Sequence, residues 1–210
     1  MAGRKEGASQ NQKARIIQTA VELLLKKGSS TATSTTDICS AAGLTRPTLY
    51  HYFGSKRNLL LSVHMDHMEK TLKPYLEAAL SIEEPLERLR YMVRTFTKEI
   101  VCKHPELRVI IHDSLTMKDQ HFREVKGAWK EHYVLLRDTI GRLQSRGDLK
   151  TRIEPSWAAL FVLGMLTWVL FWLDYGRTGD IDRLTDQGLE LVLHGLGLGP
   201  AAPGQERRSA

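Results

Sequence analysis

Residues 32–56 read ATSTTDICSAAGLTRPTLYHYFGSK, and their polar and glycine punctuation marks two short helices. Ser34 stands three residues before Asp37, an S-x-x-D form of the capping box in which the hydroxyl takes the Asp37 amide and the carboxylate reaches back. The helix opened there ends at Ala41, Ala42 and Gly43. Thr45 can cap a second helix over residues 45–53, with Pro47 in the first turn, where its missing N–H costs nothing. Leu49 and Phe53, four apart, face inward, which leaves Arg46, Thr48, Tyr50 and Tyr52 pointing outward or along the rim. Gly54 and Ser55 stop the helix.

Two short helices joined by a glycine turn, the second opening on polar residues and exposing tyrosines, have the form of a DNA-binding helix-turn-helix. The second helix of such a unit enters the major groove by its N-terminal end. Arg46 suits bidentate bonding to guanine, while Pro47 and the Thr48 methyl suit a thymine methyl and the Thr48 hydroxyl suits a base edge. Thr35, Thr36, Thr45, Tyr50, Tyr52 and Lys56 suit phosphates, which fix register without reading sequence.

Outward from this segment, helical periodicity runs through the chain and no alternating run is long enough to propose a sheet. An all-α fold of about nine helices is expected. The first spans residues 11–27, with Ile16, Ala20, Leu23 and Leu24 on one face. A long helix follows the 45–53 helix over residues 56–80, and Pro85 opens the next, whose Leu86, Leu89, Val93, Phe96 and Ile100 form one stripe. Further helices are expected from Pro105, over 119–145, over 154–175 and over 180–196. Residues 157–173, WAALFVLGMLTWVLFWL, carry no charge, yet fall short of the about 20 residues a bilayer requires. They read as a helix that is apolar all round and enclosed by others.

The net charge of +6 resides in the first 57 residues, where nine basic side chains stand against three acidic ones. The rest of the chain is neutral. An excess confined to one quarter of a protein points to a polyanion-binding module joined to something with a different task. Residues 1–10 read as a flexible basic arm, either solvated or reaching a minor groove through Arg4 and Lys5. Cys39 and Cys102 form no metal-spaced set and read as buried thiols in a reducing compartment, and MAGRKEGASQNQ lacks the apolar run of a secretory signal.

The segment 32–56 resembles the DNA-binding signature of the TetR (tetracycline-repressor) family of bacterial transcription regulators. The resemblance lies at Thr33, Asp37-Ile38, Ala41-Ala42-Gly43, Thr48-Leu49-Tyr50, Tyr52-Phe53 and Lys56. Pro47 stands where many members carry Gly, which with Arg46 bears on the operator sequence. The resemblance implies a helix-turn-helix domain at 11–57, a ligand-binding and dimerising bundle at 58–196, and a disordered tail at 197–210. It implies a homodimer on a palindromic double-stranded DNA operator in the bacterial cytoplasm, with repression relieved by a small effector; an activator or a co-repressor-dependent regulator has the same layout.

By the same resemblance the last two helices build the dimer interface. The stripe Leu189, Val192, Leu193 and Leu196 suits that role, and Gly164 with Ala158 and Ala159 suits close helix approach. Phe96, Ile100, Ile110, Trp129, Tyr133, Trp168 and Trp172 are candidates for the effector pocket, which their size and lack of charge match to a hydrophobic or aromatic ligand, including an acyl or acyl-thioester metabolite.

Enzymatic readings find little in the sequence. His64, Asp66 and His67 read as solvated surface, Cys102 near His104 lacks a partner set, and no P-loop or dinucleotide fingerprint occurs. No metal, cofactor or membrane partner is expected. The competing readings are a helical membrane-associated protein built on 157–173 and a helical small-molecule-binding protein without DNA activity.

Overall fold

The computed structural model describes residues 2–104, 106–116, 120–173 and 180–198; within its helices the side chains of residues 2–6, 110, 113–116, 120–122, 124, 125 and 128 lie outside that description. Ten α-helical segments and two π-helical turns join into nine continuous helical rods, and among the described residues there is no strand. The all-α expectation holds. The chain forms two compact units, residues 1–74 with 104–129, and residues 75–103 with 130–210.

The first unit is built on α1 (Ala2–Lys27), α2 (Thr35–Ala42), α3 (Arg46–Phe53), α4 (Lys56–His67) and α7 (Glu106–Thr116). Helix α1 begins at Ala2, so the turns expected as a flexible arm continue the helix; the side chains of Arg4 and Lys5 lie outside the description. Ser34 caps α2 as the sequence predicts, its hydroxyl accepting from the Asp37 amide while the Asp37 carboxylate accepts from the Ser34 amide at 2.7 Å. Gly43 takes φ of 63°, a left-handed conformation that costs glycine nothing and turns the chain from α2 into α3. Ile16, Ala20 and Leu24 of α1, Ile38 of α2, Leu49 and Phe53 of α3 and Leu59 and Val63 of α4 form one buried core.

Long-range hydrogen bonds secure this core at its edges. Arg15 donates to the Ala42 carbonyl at 2.8 Å, and Lys56 donates to the Ser30 carbonyl at 2.6 Å. The first occupies a carbonyl at the C-terminal end of α2, and the second adds to a carbonyl that also accepts from the Thr33 amide at 3.3 Å.

The second unit contains α6 (Pro85–Thr95), which runs into a π turn at Phe96–Val101, together with α9 (Pro155–Trp172) and α10 (Ile181–Gly195). Helices α5 (Lys73–Ser81) and α8 (Gln120–Arg146) each begin in the first unit and end in the second. A second π turn, Met68–Leu72, joins α4 to α5. Leu89, Met92, Val93, Phe96 and Ile100 pack inward as their spacing requires, with Leu136, Ile140 and Leu143 of α8. Arg94 and Lys98 pair with Asp186 and Asp182 across to α10.

Beyond α10 the chain does not fray at once. Lys150 and Thr151 donate to the Gly197 and Leu196 carbonyls at 3.0 and 3.2 Å, and Leu149 and Leu198 form an isolated antiparallel bridge. Gly197, at φ of 71°, would set a side chain 3.2 Å from the Thr151 nitrogen, so this closure requires glycine. Residues 197 and 198 are thus fixed, whereas the rest of the expected tail lies outside the described residues.

Helix α9 departs from expectation. Its inner face, Ala158, Ala159, Val162, Leu166 and Leu170, is buried, but Trp157, Leu160, Phe161, Trp168 and Trp172 are exposed in the single chain, Trp172 to 74%. The sequence reading enclosed this helix on all sides. It is also the one helix among the described residues long and apolar enough to cross a membrane.

Candidate functional site

Helix α3 is set by its ends. Thr45 accepts from the Thr48 amide and lies 2.9 Å, hydroxyl to hydroxyl, from Thr48, while Pro47 occupies the first turn. Leu49 and Phe53 anchor the helix in the core, with Lys13 5.7 Å from the centre of the Phe53 ring. Arg46, Pro47, Tyr50 and His51 are exposed, and Thr48 and Tyr52 are half-buried. The predicted division between inward and outward residues therefore holds.

Arg46 donates to the Thr36 hydroxyl, ten residues earlier on α2. One contact leaves most of its five N–H donors available and holds the guanidinium at the start of α3. Thr36 is exposed and Thr35 half-buried in the first turn of α2. Lys56 has a structural task that spacing did not reveal, since its ammonium tethers the loop at Ser30. It retains further donors for an anion.

The field around α3 is positive by construction. Asp37 is the single acidic residue between positions 23 and 65, and its carboxylate pairs with Lys27 at 2.6 Å. That Lys27 bond and the Ser34 bonds hold its pKa well below the usual carboxylate range. No acidic side chain occupies the first turn of α3, whose N-terminus carries the positive end of the helix dipole. His51, exposed and edge-on to Tyr52 at 5.6 Å, belongs to the same surface and was passed over. Its position between two assigned tyrosines was the available signal.

The seven effector candidates differ in their surroundings, Ile110 and Trp129 belonging to the first unit and the others to the second. Phe96 and Ile100 are fully buried, Trp129 and Tyr133 are half-buried, Trp168 and Trp172 stand exposed beside one another at 6.2 Å, and the Ile110 side chain lies outside the description. The two tryptophans belong to the open face of α9, so they are not lining of an interior pocket. None of the seven lines the open groove formed by Glu83, Pro85, Arg137, Gly141, Gln144 and Glu154.

What Phe96 does pack against is a buried polar pair missed in the sequence, Tyr75 and His132, with ring centres 6.2 and 4.7 Å away. The Tyr75 hydroxyl donates to the Met92 carbonyl at 3.2 Å and lies 3.0 Å from His132 Nε2. Both bonds hold together when neutral His132 donates from Nε2, and burial pushes its pKa down to about 3. The signal for His132 was a histidine within the apolar stripe of α8, between Trp129 and Leu136.

The stripe expected at the dimer interface is turned inward. Leu189, Val192, Leu193 and Leu196 are at most 5% exposed within one chain, so they cover the subunit's own core and have no surface left for a partner. The large apolar residue that α10 exposes is Leu191. His64 and His67, expected on the surface, are buried at the end of α4, and Cys39 and Cys102 are buried free thiols as expected.

Comparison with known proteins decides the family. The model for "Bacterial regulatory proteins, tetR family" matches residues 16–63, and that for "Tetracyclin repressor-like, C-terminal domain" matches residues 83–196. The chain belongs to the TetR family. A probable HTH-type transcriptional regulator of Pseudomonas putida, ArpR, is 27% identical over 91% of this chain and 96% of its own. The TetR-family regulator PfmR from Thermus thermophilus superposes with a TM-score of 0.77 at 25% identity, over 89% of this chain and 100% of its own. AibR, solved with isovaleryl coenzyme A and operator DNA, superposes with a TM-score of 0.77 at 22% identity, over 90% and 99%. This TetR-family chain is a DNA-binding transcription regulator, and α2 and α3 lie within the residues that its N-terminal family model matches.

Proposed function

We propose that the protein is a ligand-responsive repressor of the bacterial cytoplasm, binding a palindromic operator as a homodimer and released by a small hydrophobic effector. The observation that carries this reading is the fixed, exposed start of α3 in a positive field. Arg46 bonds a guanine edge, and Pro47 with the Thr48 methyl covers a thymine methyl. Thr35, Thr36, Thr45, Tyr50, Tyr52 and Lys56 hold phosphates, and His51 joins them. Residues 11–57 read DNA, and residues 58–196 supply the effector site and the dimer contact.

The partner subunit covers the exposed side of α9. Trp157, Leu160, Phe161, Trp168 and Trp172 lie three, four and seven residues apart around Gly164, a spacing that makes one continuous apolar face. Two-fold pairing then sets the recognition helices in major grooves about 34 to 36 Å apart or a multiple of that.

The effector is an acyl or acyl-thioester compound. The isovaleryl coenzyme A bound by AibR supports the class, as does a second unit whose largely apolar interior includes the polar pair Tyr75 and His132. An acyl chain that enters this core must repack Phe96 and Ile100. Release follows when the effector binds more tightly to the form whose recognition helices no longer match the groove spacing.

Selection of bound fragments from a random DNA pool, followed by titration, tests the reading. A palindrome is expected, with affinity falling about tenfold or more between 50 and 200 mM salt and acyl-thioester addition weakening it. Arg46→Ala is expected to cost about 1 to 3 kcal/mol and to relax preference at one base pair. Salt-independent binding, or an Arg46→Ala protein with full specificity, would overturn it.

A further inference from the structure

Side chains from two distant stretches of the sequence meet in the first unit: His67 at the end of α4, with His104 just before α7 and Glu106 at its start. One donor atom from each lies within 4.8 Å of the others. The His67 and His104 rings stand edge to face at 5.0 Å, and His104 Nδ1 lies 2.7 Å from a Glu106 carboxylate oxygen. His67 is 7% exposed, and its Nε2 has no hydrogen-bond partner among the described residues.

A buried ring nitrogen with nothing to bind is uncommon, because the interior normally satisfies such groups. The contrast with His64, one turn earlier, is instructive. There Nδ1 bonds the Leu60 carbonyl at 2.8 Å, the ordinary way for a helix to settle a buried imidazole. His67 instead directs its nitrogen toward another imidazole and a carboxylate.

We propose that His67, His104 and Glu106 form a binding site for a divalent transition-metal ion of the zinc and cobalt type. Two imidazoles and one carboxylate are the donor set such ions take with three protein ligands and one open position. Bonds of about 2.0 to 2.1 Å to a tetrahedral ion place donors about 3.3 Å apart, so rotation of half-exposed His104 and Glu106 suffices to close the set. The electrostatics agree. Burial and neighbouring His104 bring the His67 pKa down to about 4, which keeps its lone pair available at neutral pH. Burial pushes the Glu106 pKa up, but the His104 hydrogen bond and its neighbours outweigh this and hold it below the ordinary value, so it remains an anion. An ion bound here crosslinks the end of α4 to the start of α7, two helices that both pack on α1.

The experiment uses the full chain, stripped with chelator and titrated with Zn2+ or Co2+ by equilibrium dialysis. One ion per chain is expected, the cobalt form showing the intense visible absorption of a four-coordinate centre. Glu106→Gln and His67→Gln should each weaken binding by about tenfold or more, with the metal-free circular dichroism unchanged. If His67→Gln fails to fold, the half-buried, isosteric Glu106→Gln carries the test alone. Absence of stoichiometric binding, or full affinity in the folded variants, overturns the site; DNA binding is read separately and tests the repressor assignment.

Discussion

The Ser34 hydroxyl caps α2, and with Asp37 and Lys27 it forms a polar cluster at the helix start. Ser34→Ala should cost about 1 kcal/mol in a urea melt and loosen the start of α2, where Thr36 meets Arg46. The caps were legible because they depend on residues three apart. Arg46 on Thr36 and Lys56 on Ser30 were not, since they join residues that only folding brings together. The buried histidines have a measurable consequence. His132 and His67 have pKa values lowered to about 3 and about 4 against 6.5 when unfolded, so below pH 6.5 the unfolded chain binds protons that the folded one refuses. Stability is therefore whole above about pH 7 and falls with acidification toward pH 4. In His132→Gln the slope of unfolding free energy between pH 4.5 and 6 should be shallower by about 1.4 kcal/mol per pH unit. An unchanged slope would show that His132 is not buried as neutral imidazole.

At the scale of elements, α9 and α10 show where periodicity informs and where it misleads. The strong stripe Leu189, Val192, Leu193 and Leu196 looked fit for a partner, yet a stripe that bold on a polar helix is what the subunit's own core demands. Helix α9 is apolar at nearly every position, so its sequence has no direction and could not say which side stays open. The two helices should answer substitution differently. Leu189→Ala should cost about 2 to 4 kcal/mol of stability and leave the dimer assembled. Trp168→Lys should leave the fold intact and shift sedimentation toward the monomer, with DNA affinity falling as a result. A Trp168→Lys protein that remains dimeric would assign the face to something else. The π turns at Met68–Leu72 and Phe96–Val101 were invisible, because inserting one residue into a helix shifts its hydrogen bonding without interrupting the apolar pattern.

At the scale of the whole molecule, the division of labour was legible in charge alone. The excess of +6 lies in the first 57 residues, and α3 with its exposed Arg46 lies there too. The rod count and the all-α class were also readable, since each rod announces itself through local spacing. The effector site was not, because a pocket is a relation among helices, and Phe96, Trp129 and Trp168 share core spacing while occupying buried, half-buried and exposed positions. The bare aromatic side of α9 has a further, genetic consequence. On the proposed pairing through α9, a subunit with Arg46→Ala keeps that side intact and is expected to enter mixed pairs in a cell that also makes the normal protein. Each mixed pair has one competent reading head, and with equal synthesis half of all pairs are mixed and a quarter are fully normal. The altered allele should therefore act dominantly over the normal one, and adding Trp168→Lys to it should make it recessive.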